Sequence, residues 1–159
     1  MNTTFIPKTS LYKDRVTSSF HAQALMQTIE AELVSVEPGQ VRIELPFSQS
    51  LSQQHGFLHA GILTSCLDTA AGYAAFSLMP EDAEVLTIEL KTSLLSPAKA
   101  ERFAFIGTVI KPGKNIVFCE AQAYSIENTQ ADKPIALLSA TMMTVRGRED
   151  VKQQSLIKD

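Results

Sequence analysis

Apolar and polar positions change rhythm several times along this chain of 159 residues, and each change marks an element. From Leu11 to Met26, the residues Tyr12, Val16, Phe20 and Ala24 recur every four positions, the spacing of one helix face. Next come TIEAELVSV and QVRIELPF, separated by Pro38-Gly39. In the second run Val41, Ile43 and Leu45 alternate with Arg42 and Glu44, the pattern of a half-buried strand. Proline presets φ and glycine accepts positive φ, so the pair predicts a hairpin turn. The polar loop SQSLSQQHG then leads into a predicted helix over residues 59–78, which ends before Pro80 because proline disfavours helical geometry at the preceding residue. Four more strands follow. In VLTIELKTSLLSP, Leu86, Ile88 and Leu90 alternate with Thr87, Glu89 and Lys91. RFAFIGTVIK and IVFCEAQAYSI flank a Lys-Pro-Gly-Lys-Asn turn, and IALLSATMMTV comes after the loop ENTQADKP. Residues 1–9 and the charged stretch 147–159 read as loose termini.

Helix, two strands, long helix, four strands is the resulting order. Short turns between consecutive strands require antiparallel pairing. The expected architecture is therefore α+β: one curved antiparallel sheet wrapped around one long central helix (about residues 59–78), with an N-terminal helix, in a single domain over 1–159. The long helix is rich in small residues, among them Ala70, Ala71, Ala74 and Ala75, so strands can approach it closely. It is apolar all round, and such a helix is a buried one.

Composition narrows the function classes. Hydrophobic residues make up 45% and charged residues 19%, as in an ordinary globular protein, and the formal charge of −3 has no Lys/Arg stripe for a nucleic-acid partner. The longest apolar run, AAGYAAFSLM, is half of the ~20 residues a membrane helix needs, so no membrane insertion is expected. Cys66 and Cys119 stand apart from any Cys-x-x-Cys or Cys/His cluster. With no signal-peptide pattern at the N-terminus, they read as reduced thiols of a cytoplasmic protein. No P-loop, no G-x-G-x-x-G and no metal-ligand spacing is present, so neither a metal nor a bound cofactor is expected.

One residue of the long helix breaks its pattern. From His59 to Leu78 the only carboxylate is Asp68, and there is no Lys or Arg. An unpaired carboxylate in a low-dielectric core is strongly unfavourable. Asp68 therefore either lies on an accessible strip or pairs with a distant cation, or it faces a cleft as a general base or nucleophile. Directly upstream, GFLHAG opens the helix, where free N–H groups and a partial positive charge can polarise a carbonyl. At ~1.5 Å per residue, Asp68 stands about 12 Å along the axis from that end. One carbonyl cannot touch both, so either a neighbouring subunit supplies one half of the site or one half is not catalytic; the distance favours a homo-oligomer with sites at the interface.

The segment QQHGFLHAGILTSCLDTAAG, residues 53–72, resembles the signature of hotdog-fold acyl-CoA thioesterases of the PaaI-like type. Gln53, Gly56, His59-Ala60-Gly61 and Asp68 stand at the matching offsets. VLTIELKTSLLSPAK resembles the family's central strand with its Ser-Pro-Ala end, and the likeness extends over roughly residues 11–146. What the resemblance implies is hydrolysis of an acyl-CoA thioester at a dimer interface. The helix acid would come from one subunit, the loop amides from the other. Asp68 would activate water or attack the carbonyl, the Ala60 N–H would hold the oxyanion, and Gln53 would orient carbonyl or water. Thr87 falls where relatives place a Ser or Thr that assists the acid. His59, Gly61 and His55 complete the set as substrate-binding residues, with His59 read first as a group bonding backbone at the helix start. Coenzyme A belongs to the substrate, not to a cofactor set, and the assembly is expected to be a dimer or a dimer of dimers. Gln53 in place of the family's commoner Asn, and Ala60 in place of the first Gly, alter the acyl end more than the chemistry. Leu58, Ile62 and Leu63 point to an apolar acyl group. Two alternatives stand beside this reading: a non-catalytic acyl-CoA-binding or regulatory module of the same fold, and a hydroxyacyl thioester dehydratase using His55 with Asp68.

Overall fold

The computed structural model describes residues 5–126 and 133–151. Its elements run α1 (Tyr12–Ala22), α2 (Ala24–Thr28), β1 (Glu32–Glu37), β2 (Gln40–Pro46), α3 (Ala60–Phe76), β3 (Ala83–Leu94), β4 (Arg102–Lys111), β5 (Ile116–Ile126) and β6 (Lys133–Arg146). The six strands form one antiparallel sheet in the order β1-β2-β4-β5-β6-β3. The sheet wraps α3, and a continuous apolar core fills the space between them. This is the hotdog arrangement of α+β type.

Small side chains set how closely sheet and helix approach. Ala70, Ala71, Ala74 and Ala75 are fully buried. On the middle strand β4, a Cβ added to Gly107 would stand 2.2 Å from the Ala70 carbonyl, so only glycine lets the two backbones meet there. At the other end of α3, Ser77 Oγ accepts the Gly39 N–H at 2.8 Å and donates to the Ala74 carbonyl at 2.7 Å, tying the β1–β2 turn to the helix. Gly39 has φ +79° in that turn, as the Pro-Gly pair predicts.

Three expectations change. The helix predicted from Leu11 to Met26 is broken at Gln23, whose ψ of 101° ends α1 and starts α2. Val16 and Phe20 are buried as predicted, but Ala24 is exposed. The break re-aims the chain so that Met26 and Ile29, off the original stripe, enter the core. The N-terminal stretch is not loose throughout: Phe5 packs against the core, against the Gly39 turn. At the other terminus Glu149–Val151 form a short 3-10 turn. The outermost parts of both predicted termini and most of the loop ENTQADKP lie outside the described residues.

The third change concerns β3, an edge strand. A bulge falls between Thr87 and Glu89. Residues opposite each other in an antiparallel ladder share a face. Before the bulge, Val85 and Thr87 lie opposite the buried Thr144 and Met142. After it, Leu90, Thr92 and Leu94 lie opposite the buried Leu138, Ala136 and Ala140 region of β6. The inward set therefore changes from odd to even positions. Simple alternation places Leu86 and Ile88 inward, whereas they are 42% and 54% exposed. An extra residue on one strand has this effect, and it re-aims the side chains beside it.

Candidate active site

Helix α3 is not buried on every side. Gly61, Ser65, Asp68 and Gly72, spaced four, three and four apart, form one accessible strip. Asp68 sits on it, half-buried, and accepts a 2.8 Å hydrogen bond at Oδ1 from Thr87 Oγ1 of β3. Thr87 reaches it because the bulge begins just after Thr87 and leaves that side chain turned toward the helix. Further along the same two elements, Thr64 Oγ1 donates to Thr92 Oγ1 at 3.2 Å. Burial pushes the Asp68 carboxyl above the usual carboxylate range, and the Thr87 hydrogen bond opposes that rise. A base with a raised pKa holds a proton more firmly once it has taken one, which suits proton transfer near neutral pH.

The helix start forms a second group. Leu58 N–H donates to the Ala98 carbonyl at 3.0 Å and His59 N–H to the Leu51 carbonyl at 2.9 Å, so the loop is anchored on both sides. Gly56 turns it with φ +80°. His59 caps the helix: its Nδ1 accepts the Gly61 N–H at 2.9 Å. That nitrogen is therefore unprotonated, and the ring proton resides on Nε2. Among the described residues these contacts satisfy the N–H groups of Leu58, His59 and Gly61 and leave that of Ala60 without an acceptor. It is one of the orphan donors every helix start carries. Gln53 Oε1 accepts the His55 N–H, so the amide oxygen is tied to its own loop while the NH₂ group stays free to donate. His55 is exposed at the loop tip.

The structure thus brings Asp68 together with Thr87, and Gln53, His55, His59, Ala60 and Gly61 together at the helix start. It does not bring the two groups together within one chain, since eight helical residues separate Ala60 from Asp68, about 12 Å. Leu58 and Leu63 belong to the core, so of the three apolar residues expected near the acyl group only Ile62 is partly accessible. Leu90 and Leu94, on the inward side of β3 past the bulge, are still 38% and 55% exposed. Cys66 is fully buried, and burial pushes its thiol up to about 12, so it is a core residue and not a nucleophile.

A cavity of about 170 Å³ opens beside Asp68, between the end of α1, α3 and the start of β3. Sequence reasoning missed most of its lining. Ser19 Oγ and the Tyr73 hydroxyl lie 3.2 Å apart across it. Thr69 Oγ1 donates a long 3.5 Å bond to Gln23 Oε1, and Gln23 reaches the cavity because it sits at the break between α1 and α2. Glu84 contributes a carboxylate whose pKa burial raises, against the opposing charge of Arg15. Arg15 donates to the Met79 and Ala83 carbonyls at 3.2 and 2.7 Å and lies over the Phe76 ring at 4.3 Å. The one sequence signal pointing here is the four-residue spacing of Asp68 and Gly72 on the accessible strip. Among the described residues no group of three His, Cys, Asp or Glu is arranged to hold a metal ion, and no helix is long and apolar enough to cross a membrane.

Comparison with known proteins agrees with the fold. The thioesterase superfamily model matches residues 55–131, a span that begins in the helix-start loop and takes in Asp68 and Thr87. A thioesterase family protein from Silicibacter pomeroyi is 46% identical, with a TM-score of 0.83 over 86% of this chain and 99% of that one. The 1,4-dihydroxy-2-naphthoyl-CoA hydrolase of Listeria monocytogenes is 25% identical over 122 residues, 77% of this chain and 95% of the hydrolase. The E. coli PaaI protein from the phenylacetic acid degradation operon shares the fold, with a TM-score of 0.73 at 19% identity over 86% of this chain and 97% of its own. With the half-buried acid, its hydroxyl partner and the capped helix start on the same framework, the chain belongs to the thioesterase superfamily, as a thioester hydrolase of the hotdog fold.

Proposed function

We propose that this protein hydrolyses acyl-CoA thioesters with a largely apolar acyl body, at sites completed by a second copy of the chain. The observation that carries the reading is the Thr87–Asp68 hydrogen bond on the accessible strip of α3. It holds one carboxylate oxygen in place and leaves the other to activate water or to attack the thioester carbonyl. The oxyanion formed on that carbonyl needs a donor, and the unused Ala60 N–H at a helix start is one. Collapse of the intermediate expels coenzyme A as thiolate: on the water route this gives the free acid, with the water's proton taken by Asp68, and on the attack route an acyl–Asp68 anhydride that a water then hydrolyses to the free acid. Gln53, with its NH₂ group free, orients the carbonyl or the water, and His59 and Gly61 fix the backbone around Ala60. The relative that is a CoA thioester hydrolase by name supports coenzyme A as the leaving group.

The second copy follows from distance. The donor at Ala60 and the acid at Asp68 are too far apart for one carbonyl, so the partner supplies one of them. Edge strand β3 is the surface for it: twelve residues long, open on one side, and carrying the exposed Leu86 and Ile88. The opposite edge, β1, is six residues long and guarded, with Glu32 held by Arg102, which also donates to Glu44 at 2.8 Å.

The test is free-thiol release from a panel of acyl-CoAs by the wild type and by Asp68→Asn. Turnover by the wild type, with a loss of about a hundredfold or more in kcat and little change in KM in the variant, places Asp68 in the transition state. Acyl-CoA binding without thiol release by the wild type would sink the proposal.

A further inference from the structure

The cavity beyond Asp68 is polar where an apolar acyl tail would want hydrocarbon. Its lining includes the Gln23 amide, the Thr69 hydroxyl and the Glu84 carboxylate, with Val85 as its main apolar side chain. Among the described residues the Glu84 carboxylate makes no hydrogen bond and no ion pair, although it is half-buried and faces this space. The charge of Arg15 offsets part of the cost of burying it, but an acceptor with no donor at hydrogen-bond distance still loses solvation that it does not recover in full. The Gln23 side chain is similarly underused, its one partner being the long bond from Thr69. Gln23 stands at the break between α1 and α2.

We propose that this cavity receives the far end of the acyl group and selects a hydrogen-bond donor on it, a hydroxyl or an ammonium, through Glu84 and Gln23. The inference rests on the thioesterase reading above and names its substrate class. Three observations favour the acyl end over the coenzyme A arm. The end of α1 forms the far wall, where Ser19 and Tyr73 are hydrogen-bonded to each other. Among the described residues no Lys or Arg lines the cavity, and its two carboxylates, Asp68 and Glu84, repel the phosphates that a coenzyme A arm leads to. At about 170 Å³ it is close to the ~150 Å³ cavity that encloses one benzene ring, so it takes about six carbons. Gly72 forms part of the wall, and a Cβ there meets nothing within 4 Å, so this position can be filled without clash.

Three coenzyme A thioesters test the proposal: hexanoyl, 6-hydroxyhexanoyl and 6-aminohexanoyl, with acetyl-CoA as the short reference. The wild type is expected to favour at least one donor-bearing substrate over hexanoyl by about tenfold in kcat/KM, since a site built for a hydrogen bond rejects the analogue lacking it. Glu84→Leu should bring that ratio to about one. Glu84→Gln separates the two donors, keeping a preference for the hydroxyl and losing one for the ammonium. Gly72→Val should lower kcat/KM for six-carbon substrates relative to acetyl-CoA, mostly through KM. Equal wild-type rates on all three six-carbon substrates overturn the proposal. So does a Gly72→Val loss identical for acetyl and hexanoyl, which assigns the cavity to the coenzyme A arm. A wild type that releases no thiol from any of them refutes the hydrolysis reading instead. The cavity is then judged by thermal shift with 6-aminohexanoate and 6-hydroxyhexanoate against hexanoate, and equal shifts for all three refute the selection as well.

Discussion

Two faces of one helix do opposite work. Toward β4, α3 presents Cys66, Leu67, Ala70 and Ala74, all fully buried and packed so closely that Gly107 has no room for a methyl group. Toward β3 and α1 it presents Ser65, Asp68 and Gly72, half-buried, with an open cavity beside them. Ala70 stands only two residues, about half a turn, from Asp68 on one side and from Gly72 on the other, yet an added atom is excluded on the first face and accommodated on the second. The packed face fixes where the helix lies. The open face uses that fixed position to hold a carboxylate against a hydroxyl on the sheet edge.

The comparison breaks most directly at Gly107. Gly107→Ala forces a Cβ into the Ala70 carbonyl, and backbone on both sides cannot yield as a side chain tip can. A loss of about 3 kcal/mol or more is expected, read as a fall in the denaturation midpoint with an unchanged m-value. Were the variant as stable as wild type, helix and sheet would not meet there as described.

Next in size is Asp68→Asn, which tests whether the open face is chemical rather than structural. Loss of about a hundredfold in kcat corresponds to ~2.7 kcal/mol on the barrier. Stability should move the other way. Burial raises the Asp68 pKa, so the folded chain holds this proton to higher pH than the unfolded chain does. Wild-type stability from this group is therefore full below the unfolded pKa and declines as pH rises through the folded one, and the amide removes that decline. Thermal melts at acidic and neutral pH should show the variant gaining on wild type as pH increases. A variant that instead loses stability at neutral pH would mark Asp68 as a structural residue.

Thr87→Val should have a smaller effect, on the order of tenfold in kcat/KM, or ~1.4 kcal/mol. It keeps the shape and removes the donor that opposes the rise in the Asp68 pKa. The acid limb of the pH–rate profile, already above the ordinary carboxylate range in wild type, should therefore move higher in Thr87→Val and return in Thr87→Ser. An unmoved limb would mean that Thr87 does not act through Asp68.

Smallest is Gly72→Ala. A methyl group there meets nothing within 4 Å, and alanine is preferred to glycine in a helix by about 1 kcal/mol. The variant should melt higher than wild type. A lower midpoint would show that the open face is closed by something the single chain does not contain, such as the second copy across β3.

Much of this was legible along the chain. The switch between periods of two and of about four, with Pro-Gly and Pro80 as punctuation, was enough to order the helices and strands, because those signals are local. Asp68 stood out because nothing within its helix could compensate a charge. His59 at the helix start was readable as a cap, because capping is a matter of one turn. The loop donors and Asp68 could be seen to lie too far apart, because helix rise is constant.

Other features were settled only when distant segments came together. The bulge in β3 depends on pairing with β6, about fifty residues later, and it alone turns Thr87 toward Asp68 and leaves Ile88 outside. The break at Gln23 answers to the core that Met26 and Ile29 must reach. Glu84, Gln23, Ser19 and Tyr73 come from three elements and share no spacing, so no pattern along the chain unites them. Order, period and the misplaced charge are properties of neighbouring residues, and the sequence by itself determined them. Which side chain faces which cavity depends on how strands slip, bulge and cross, and those are set by contacts between residues far apart in the chain.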